Sequence, residues 1–503
     1  MIAALVALPP LVASHLLLSG AALGLALLVG LPLGVAASRR PHLGRVALGA
    51  ASLIQTIPGL ALLALFYPLL LALSSLVGGA IPALGFLPSL LALALYALLP
   101  ILRNMVAGLR SIDPAVLEAA DGVGMTLRQR LWLVEAPLAA PVMMAGIRTA
   151  AVWTIGAATL STTVGQPSLG NPIFAGLQTE NWVLVLAGCI AAAGLALAVD
   201  ALLALVESGI ARGRRGRIVA GLAPLLLALG GALAFTLAPA RESVTVGAKN
   251  FSEQYILARL IADRLERAGY AVRYREGLGS AVAFRALAGG DIDVYVDYSG
   301  TLWTGPMGRS DVVPHGLMNA EIARWMAAGP GTGLVGSLGF ENAYVLAMRR
   351  DAAARLGIAS IGDLARAAPR LLLGADLEFL DRPEWAGIRR AYELNFRETR
   401  AYSPTFMYRA LRSGQADVIS AFSSDGRIAA DRLTVLADPK GAVPAYDALL
   451  LVSPRRARDA RFVGALKPLV GSIPVDRMRE ANYMVDRDRD KATPEAAARW
   501  LAR

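Results

Sequence analysis

Two textures divide the chain. Up to about residue 240, long apolar runs alternate with short polar or arginine-bearing breaks; beyond it, apolar residues recur at strand and helix spacings. Crossing a bilayer takes about 20 apolar residues. Six runs satisfy this, near 12–37, 47–73, 87–108, 138–160, 182–208 and 218–239. Pro58-Gly59, Pro68 and Pro100 fall in or beside these runs and are read as kinks, which membrane helices accommodate where neighbours satisfy the backbone. From Ser243 the pattern predicts a strand at 244–247 and a helix over 253–268 whose Ile256, Leu257, Leu260, Ile261 and Leu265 share a face. A strand at 271–274, a helix at 281–288 and a strand at 293–296 follow. Continued alternation to the end predicts α/β lobes with mainly parallel sheets, and about 260 residues suit two lobes better than one.

One polar island interrupts the apolar half. Over 118–137, Ala119 and Ala120 favour helix, Gly124 offers a break, Thr126 is placed to cap a second short helix carrying Arg128 and Arg130, and Pro137 closes the segment before the next span. Such a helix–turn–helix is too polar for lipid and should lie at the membrane surface, open to a partner.

Charge then fixes orientation. The net charge of +11 would suit nucleic acid, but Arg39, Arg40, Arg45, Arg103, Arg110, Arg128, Arg130, Arg212, Arg214, Arg215 and Arg217 all border apolar spans. This is the distribution of a positive-inside membrane protein, so no nucleic-acid partner is expected. With the loop at 38–45 cytoplasmic, alternation puts 75–86 and 162–181 outside, the island and 211–217 inside, and everything after 240 outside. Met1 to Leu18 lacks a basic leader and cleavage site, so no removable signal peptide is expected.

Composition removes several functions. With 55% hydrophobic residues the chain is too apolar for an ordinary soluble protein. The single cysteine, Cys189, excludes a disulfide framework, and His15, His42 and His315 support neither a zinc site nor a Ser/His/Asp grouping. No lysine follows a glycine, so the phosphate-cradling loop of an ATPase is missing and no catalytic residue or cofactor is expected. Arg148 and Asp200 are ionisable groups at possible membrane depth.

The island carries a family resemblance. Glu118-Ala119-Ala120, Gly124, Val134 and Ala136-Pro137 stand at the spacing of the coupling loop of ABC importer permeases, with Val134 where that family prefers Ile and Ala136 where it prefers Leu. The resemblance implies contact with a cytoplasmic ATPase through Glu118, Ala119, Ala120, Gly124 and Pro137. In the soluble half, Gly247-Ala248-Lys249-Asn250-Phe251-Ser252-Glu253-Gln254, Gly277-Leu278-Gly279-Ser280, Gly290-Asp291-Ile292-Asp293-Val294-Tyr295 and Asp297-Tyr298-Ser299-Gly300-Thr301 resemble the solute-binding proteins of quaternary-amine importers. Asn342-Ala343-Tyr344, Glu378-Phe379-Leu380-Asp381-Arg382 and Ala421-Phe422-Ser423-Ser424-Asp425-Gly426-Arg427 add to that likeness. Together the halves look like a fused permease–binding protein of the osmoprotectant uptake group, which includes ergothioneine importers.

The implied architecture is an all-α polytopic membrane domain of the MetI-like permease type over 1–217, a tethering span at 218–241, and an α/β two-lobed periplasmic-binding-protein-like domain of type II over 242–503. Lobe 1 is expected at 242–342 and 446–503, lobe 2 at 343–445, with crossings near 340–347 and 440–450. By the same resemblance, Tyr298, Tyr344, Phe422 and Tyr446 are cage candidates for a methylated ammonium, with Phe422 replacing a tyrosine common in the family. Such an ammonium cannot donate hydrogen bonds and is held by ring faces. Lys249 and Thr301 occupy donor positions for a carboxylate, to which Arg382 would contribute from lobe 2; a charged donor would favour a carboxylate over choline's hydroxyl. Ser280 and Asp425 are read as scaffolding.

These expectations describe one transport subunit in the bacterial inner membrane: paired copies of this chain, a cytoplasmic ATPase dimer, and a glycine betaine, carnitine or choline ligand loaded outside. An ergothioneine-like ligand is the alternative within transport. A membrane receptor that senses such amines without transport is the rival from another class, although a sensor has no use for a coupling motif.

Overall fold

The computed structural model describes all residues except 1–7, 79–80, 179–180, 238–242, 310, 312 and 488. The boundary drawn at 241/242 lies outside the described residues, as do the first seven residues and small parts of the loops at 75–86 and 162–181. The chain divides into a helical unit and an α/β unit.

In the helical unit, Leu8–Arg39, Phe86–Arg110, Leu127–Val164, Trp182–Ala211 and Arg215–Thr236 are long and apolar enough to cross a membrane. The run expected near 47–73 is not one straight span. Pro41–Thr56 and Gly59–Ser74 meet at 103°. Pro58 drives Ile57 into an extended conformation (φ −72°, ψ 127°), and a residue before proline avoids the helical region. The Tyr96 hydroxyl caps the bend by donating to the Ile57 carbonyl. Pro100 sits inside Phe86–Arg110 without ending it. The Tyr96 carbonyl it cannot serve accepts instead from Gln55 Nε2 at 3.2 Å.

Small residues let these helices close up. A Cβ on Gly34 would lie 2.4 Å from Met105, and one on Gly146 would lie 2.7 Å from the Pro100 carbonyl oxygen. Lipid offers no hydrophobic drive for helix association, so backbone proximity of this kind supplies the packing. His15 is fully buried, its Nε2 bonded to the Ile155 carbonyl at 2.9 Å and its Nδ1 accepting from the Leu169 N–H.

The α/β unit holds two five-stranded sheets. The first has the order β2-β1-β3-β10-β4, from β1 (Ser243–Lys249), β2 (Ala271–Leu278), β3 (Val294–Tyr298), β4 (Gly333–Glu341) and β10 (Asp447–Val452). The second has the order β7-β6-β8-β5-β9, from β5 (Tyr344–Arg349), β6 (Leu372–Ala375), β7 (Glu398–Ala401), β8 (Val418–Phe422) and β9 (Leu433–Val435). The sheets are mixed rather than mainly parallel. β1 pairs in parallel with β2 and β3, and β6 with β7 and β8, but β10 and β5 run antiparallel to their neighbours. Both antiparallel strands are those that enter a lobe directly from a crossing, where no helix turns the chain round. The crossings, at Asn342–Ala343 and through 436–446, are tied by the Asn342 N–H to the Tyr446 carbonyl at 2.9 Å.

Candidate functional site

A cleft of about 420 Å³ lies between the two sheets. The end of β3 brings Tyr298, the start of β5 brings Tyr344 and the end of β8 brings Phe422; Tyr344 and Phe422 are register partners in the β5–β8 pair. Tyr446 precedes β10, against Gly300, where any Cβ would sit 2.5 Å from its ring. The rings form a chain. Phe251 lies 6.2 Å from Tyr298 and 6.1 Å from Phe422, and Tyr344 lies 5.0 Å from Phe422 and 5.6 Å from Tyr446, centroid to centroid. Phe379 backs Tyr344 at 4.9 Å, with Trp385 behind it.

Hydrogen bonds fix the ring planes. The Tyr298 hydroxyl donates to Glu253 Oε1 at 2.5 Å, and the Tyr446 hydroxyl donates to Glu384. Burial, above all, pushes the Tyr298, Tyr344 and Tyr446 phenols well above their ordinary value, so the rings stay neutral. Glu253, at the start of helix Ser252–Arg267, also accepts from Asn342 at 3.1 Å, Ser424 at 2.6 Å and Asn482 at 2.8 Å. Burial raises the Glu253 carboxyl despite these four donors. One carboxylate thus joins the first sheet's lobe, the crossing and the end of β8.

The structure brings Lys249, Tyr298, Thr301, Tyr344, Phe422 and Tyr446 together on the cleft wall; Arg382 is not among the residues lining it. Arg382 stands behind the rings, its Nη2 bonded to Glu384 at 2.8 Å, Thr304 at 3.2 Å and the Tyr446 hydroxyl at 3.1 Å, its Nη1 to Glu378 at 3.1 Å. Its donors thus face two acids and the back of Tyr446. Lys249 is buried and its ammonium is paired with Asp297, which also accepts from the Tyr295 hydroxyl. Ser280 donates to Glu378 at 2.9 Å, and Asp425 pairs with Arg427.

Among the lining residues not nominated from sequence are Phe251, Asn342, Asp376 and Tyr402. Phe251 stood inside the Lys249–Gln254 motif, two residues from Lys249, and that placement was its only signal. Asp376 caps the turn Leu377–Asp381 through Oδ1, which accepts from the Phe379 N–H at 3.0 Å, while its buried Oδ2 has no hydrogen-bond partner among the described residues. Burial is the main cause that pushes this carboxyl up to about 6.

The polar segment at 113–137 is built differently. Helix Pro114–Gly122 is capped by Asp113 and carries Glu118 and Ala119 exposed and Ala120 buried. Gly124 (φ +77°) makes the left-handed turn, and Thr126 and Gln129 form a capping box for Leu127–Arg130. Pro137 does not close this segment. The chain passes through a π turn, Leu131–Glu135, straight into helix Ala136–Ala158. The Ala136 N–H reaches back to the Leu131 carbonyl, so the widened turn absorbs the proline that would clash in a regular helix. Arg130 bonds Asp121 at 2.6 Å and Glu135 at 2.8 Å, and Arg39 reaches Glu135 at 3.3 Å. Outside this network Val123, Leu127, Trp132 and Leu133 are exposed, Trp132 by 72%. Arg148 pairs with Asp200 at 2.8 Å and Glu207 at 2.7 Å, so both suspected membrane-depth charges are accounted for by one cluster.

An apolar helical unit followed by a two-lobed, ring-walled cleft is the build of a membrane transport protein that carries its own solute receptor. Comparison with known proteins agrees. Residues 242–503 match the substrate binding domain of ABC-type glycine betaine transport systems, and residues 26–212 match the binding-protein-dependent transport system inner membrane component. The ergothioneine transport permease/ergothioneine binding protein EgtU of Helicobacter pylori (strain G27) is 29% identical over 92% of this chain and 84% of its own. The choline transport system permease protein OpuBB of Bacillus subtilis (strain 168) is 40% identical over 38% of this chain and 83% of its own. A crystal structure of a glycine betaine/carnitine/choline ABC transporter aligns over 51% of this chain and 97% of its own, at 25% identity and a TM-score of 0.45. The chain belongs to the ABC importer family of the glycine betaine class, as a permease fused to its substrate-binding domain. Its fold is an all-α membrane domain followed by an α/β, type II periplasmic-binding-protein-like domain.

Proposed function

We propose that this chain is the membrane and receptor subunit of an ATP-driven importer for quaternary-ammonium solutes. The observation that carries the reading is the wall of five neutral rings, Tyr298, Phe251, Phe422, Tyr344 and Tyr446, around a cleft of about 420 Å³. Ring faces attract a methylated ammonium by about 0.5–2 kcal/mol each, so several rings together make a site where no anion is required. Thr301 offers a hydroxyl to the other end of the solute, and Lys249 keeps ammonium hydrogens beyond the one given to Asp297. Closure of the lobes about the crossings at 342–343 and 436–446 traps the solute.

ATP is hydrolysed by a separate cytoplasmic subunit, a dimer that meets two copies of this chain at their coupling segments. Glu118, Ala119, Ala120, Gly124 and Pro137 shape that contact, and the exposed Trp132 and Leu133 supply its apolar area. The membrane is the bacterial inner membrane, with the receptor lobes outside it. An ergothioneine-like solute remains the second reading, favoured by the whole-length likeness to EgtU.

The test is calorimetric titration of the full-length protein in nanodiscs with glycine betaine, carnitine, choline and ergothioneine. Saturable binding of at least one is expected; silence toward all four would sink the reading.

A further inference from the structure

The charges around the cleft do not balance the way a carboxylate receptor needs. Lys249 is the one cationic residue lining it among those described, and Asp297 already holds its ammonium. Glu378 is engaged by Arg382 and Ser280. Asp376 is different. It is 6% exposed, it lines the cleft, and one of its oxygens has no hydrogen-bond partner among the described residues. Asn342, 4% exposed and on the same wall, likewise leaves its Oδ1 without a partner while its Nδ2 serves Glu253. Both spare atoms are acceptors. Buried acceptors left unpaired are costly, and a cleft that carries two of them is unfinished until a donor arrives.

A quaternary ammonium has no N–H and cannot be that donor. We propose that the solute carries, besides its methylated ammonium, an N–H or O–H group that donates to Asp376, and that this residue sets specificity against donor-free betaines. The inference rests on the reading of the cleft as a quaternary-ammonium site. The chemistry required is a hydroxyl, as on choline or carnitine, or a ring N–H, as on ergothioneine. Glycine betaine offers neither, and its carboxylate would face a carboxylate. Asn342 Oδ1 accepts a second donor where the solute has one.

The experiment measures affinities of the full-length protein in nanodiscs for choline, choline O-methyl ether, ergothioneine and glycine betaine, in wild type, Asp376→Asn and Tyr344→Ala. Asparagine is as good a helix cap as aspartate, so the turn at Leu377–Asp381 is kept. In wild type, the tighter of choline and ergothioneine should exceed glycine betaine by about tenfold or more; if it is choline, the same margin should hold over its methyl ether. In Asp376→Asn that advantage should collapse to within about twofold. Tightest binding of glycine betaine, or an Asp376→Asn variant that weakens all ligands equally, overturns the proposal; the second result would leave the carboxylate as a cap alone. If binding depends on Tyr344 but the ratios ignore Asp376, only this inference falls. If no ligand binds wild type, the quaternary-ammonium reading falls with it.

Discussion

The cleft and the coupling segment solve one problem in opposite senses. In both, charged side chains pair with one another beside an apolar surface: Arg382 with Glu384 behind the rings and Lys249 with Asp297 on the cleft wall, Arg130 with Asp121 and Glu135 near Trp132 and Leu133. In the cleft that surface is concave and its rings are largely buried, so it fits a small solute. Over 123–133 it is exposed, so it is open to a larger surface. The lesson is that paired charges frame an apolar surface in both places, and burial separates the two surfaces.

Three changes press on this contrast. The largest effect is expected from Tyr344→Ala, which removes the ring that touches Phe422, Tyr446 and Phe379. Solute affinity should fall about a hundredfold, from lost cation–π attraction and a cavity in the wall, while ATPase docking is untouched. Calorimetry and co-purification of the ATPase read the two sides; loss of both would erase the division between the sites. Next, Arg130→Ala should lower solute-driven uptake about tenfold without changing affinity, since it frees Asp121 and Glu135 and loosens the π turn. Normal uptake in proteoliposomes would make the network decorative. The smallest is a pH effect. Asp376 has its carboxyl raised to about 6, so its contribution to solute-free stability is full below the unfolded value of 3.8 and is lost as pH rises through about 6. Thermal melts should show Asp376→Asn gaining on wild type by about 1 kcal/mol between pH 5 and 7.5, the full shift being reduced by water in the cleft. A pH-independent difference would place the ionisation elsewhere.

Much of this was legible in the chain, and the failures share a cause. Apolar runs gave the helices because lipid imposes a length and an all-round hydrophobicity that no other fold needs. The bend at Pro58 was not legible as an angle, since a proline shows where hydrogen bonding stops but not which neighbour, here Tyr96, takes up the freed carbonyl. The π turn before Pro137 hid for the same reason. In the receptor, the residues carried over from the family resemblance, Lys249, Tyr298, Thr301, Tyr344, Phe422 and Tyr446, all line the cleft. The surroundings of Arg382 were not legible, because a guanidinium in a sequence does not show its partners, here Glu384 and Glu378. Asp376 escaped altogether, and Glu253 stood in a quoted motif without a role. Their significance lies in which atoms are satisfied, and pairing over 171 residues, as between Glu253 and Ser424, leaves no local trace.

The crossing between lobes has a consequence for how such a receptor can diverge. Tyr344 follows the Asn342–Ala343 crossing directly, Tyr446 ends the other, and Glu253 holds Asn342 and Tyr298 at once. Selection on the rings is therefore selection on the crossings, and a substitution that reshapes the wall also touches the backbone that joins the two sheets. Asp376, Tyr402 and Ser403 line the same cleft from positions away from the crossings in sequence, and their backbone takes no part in them.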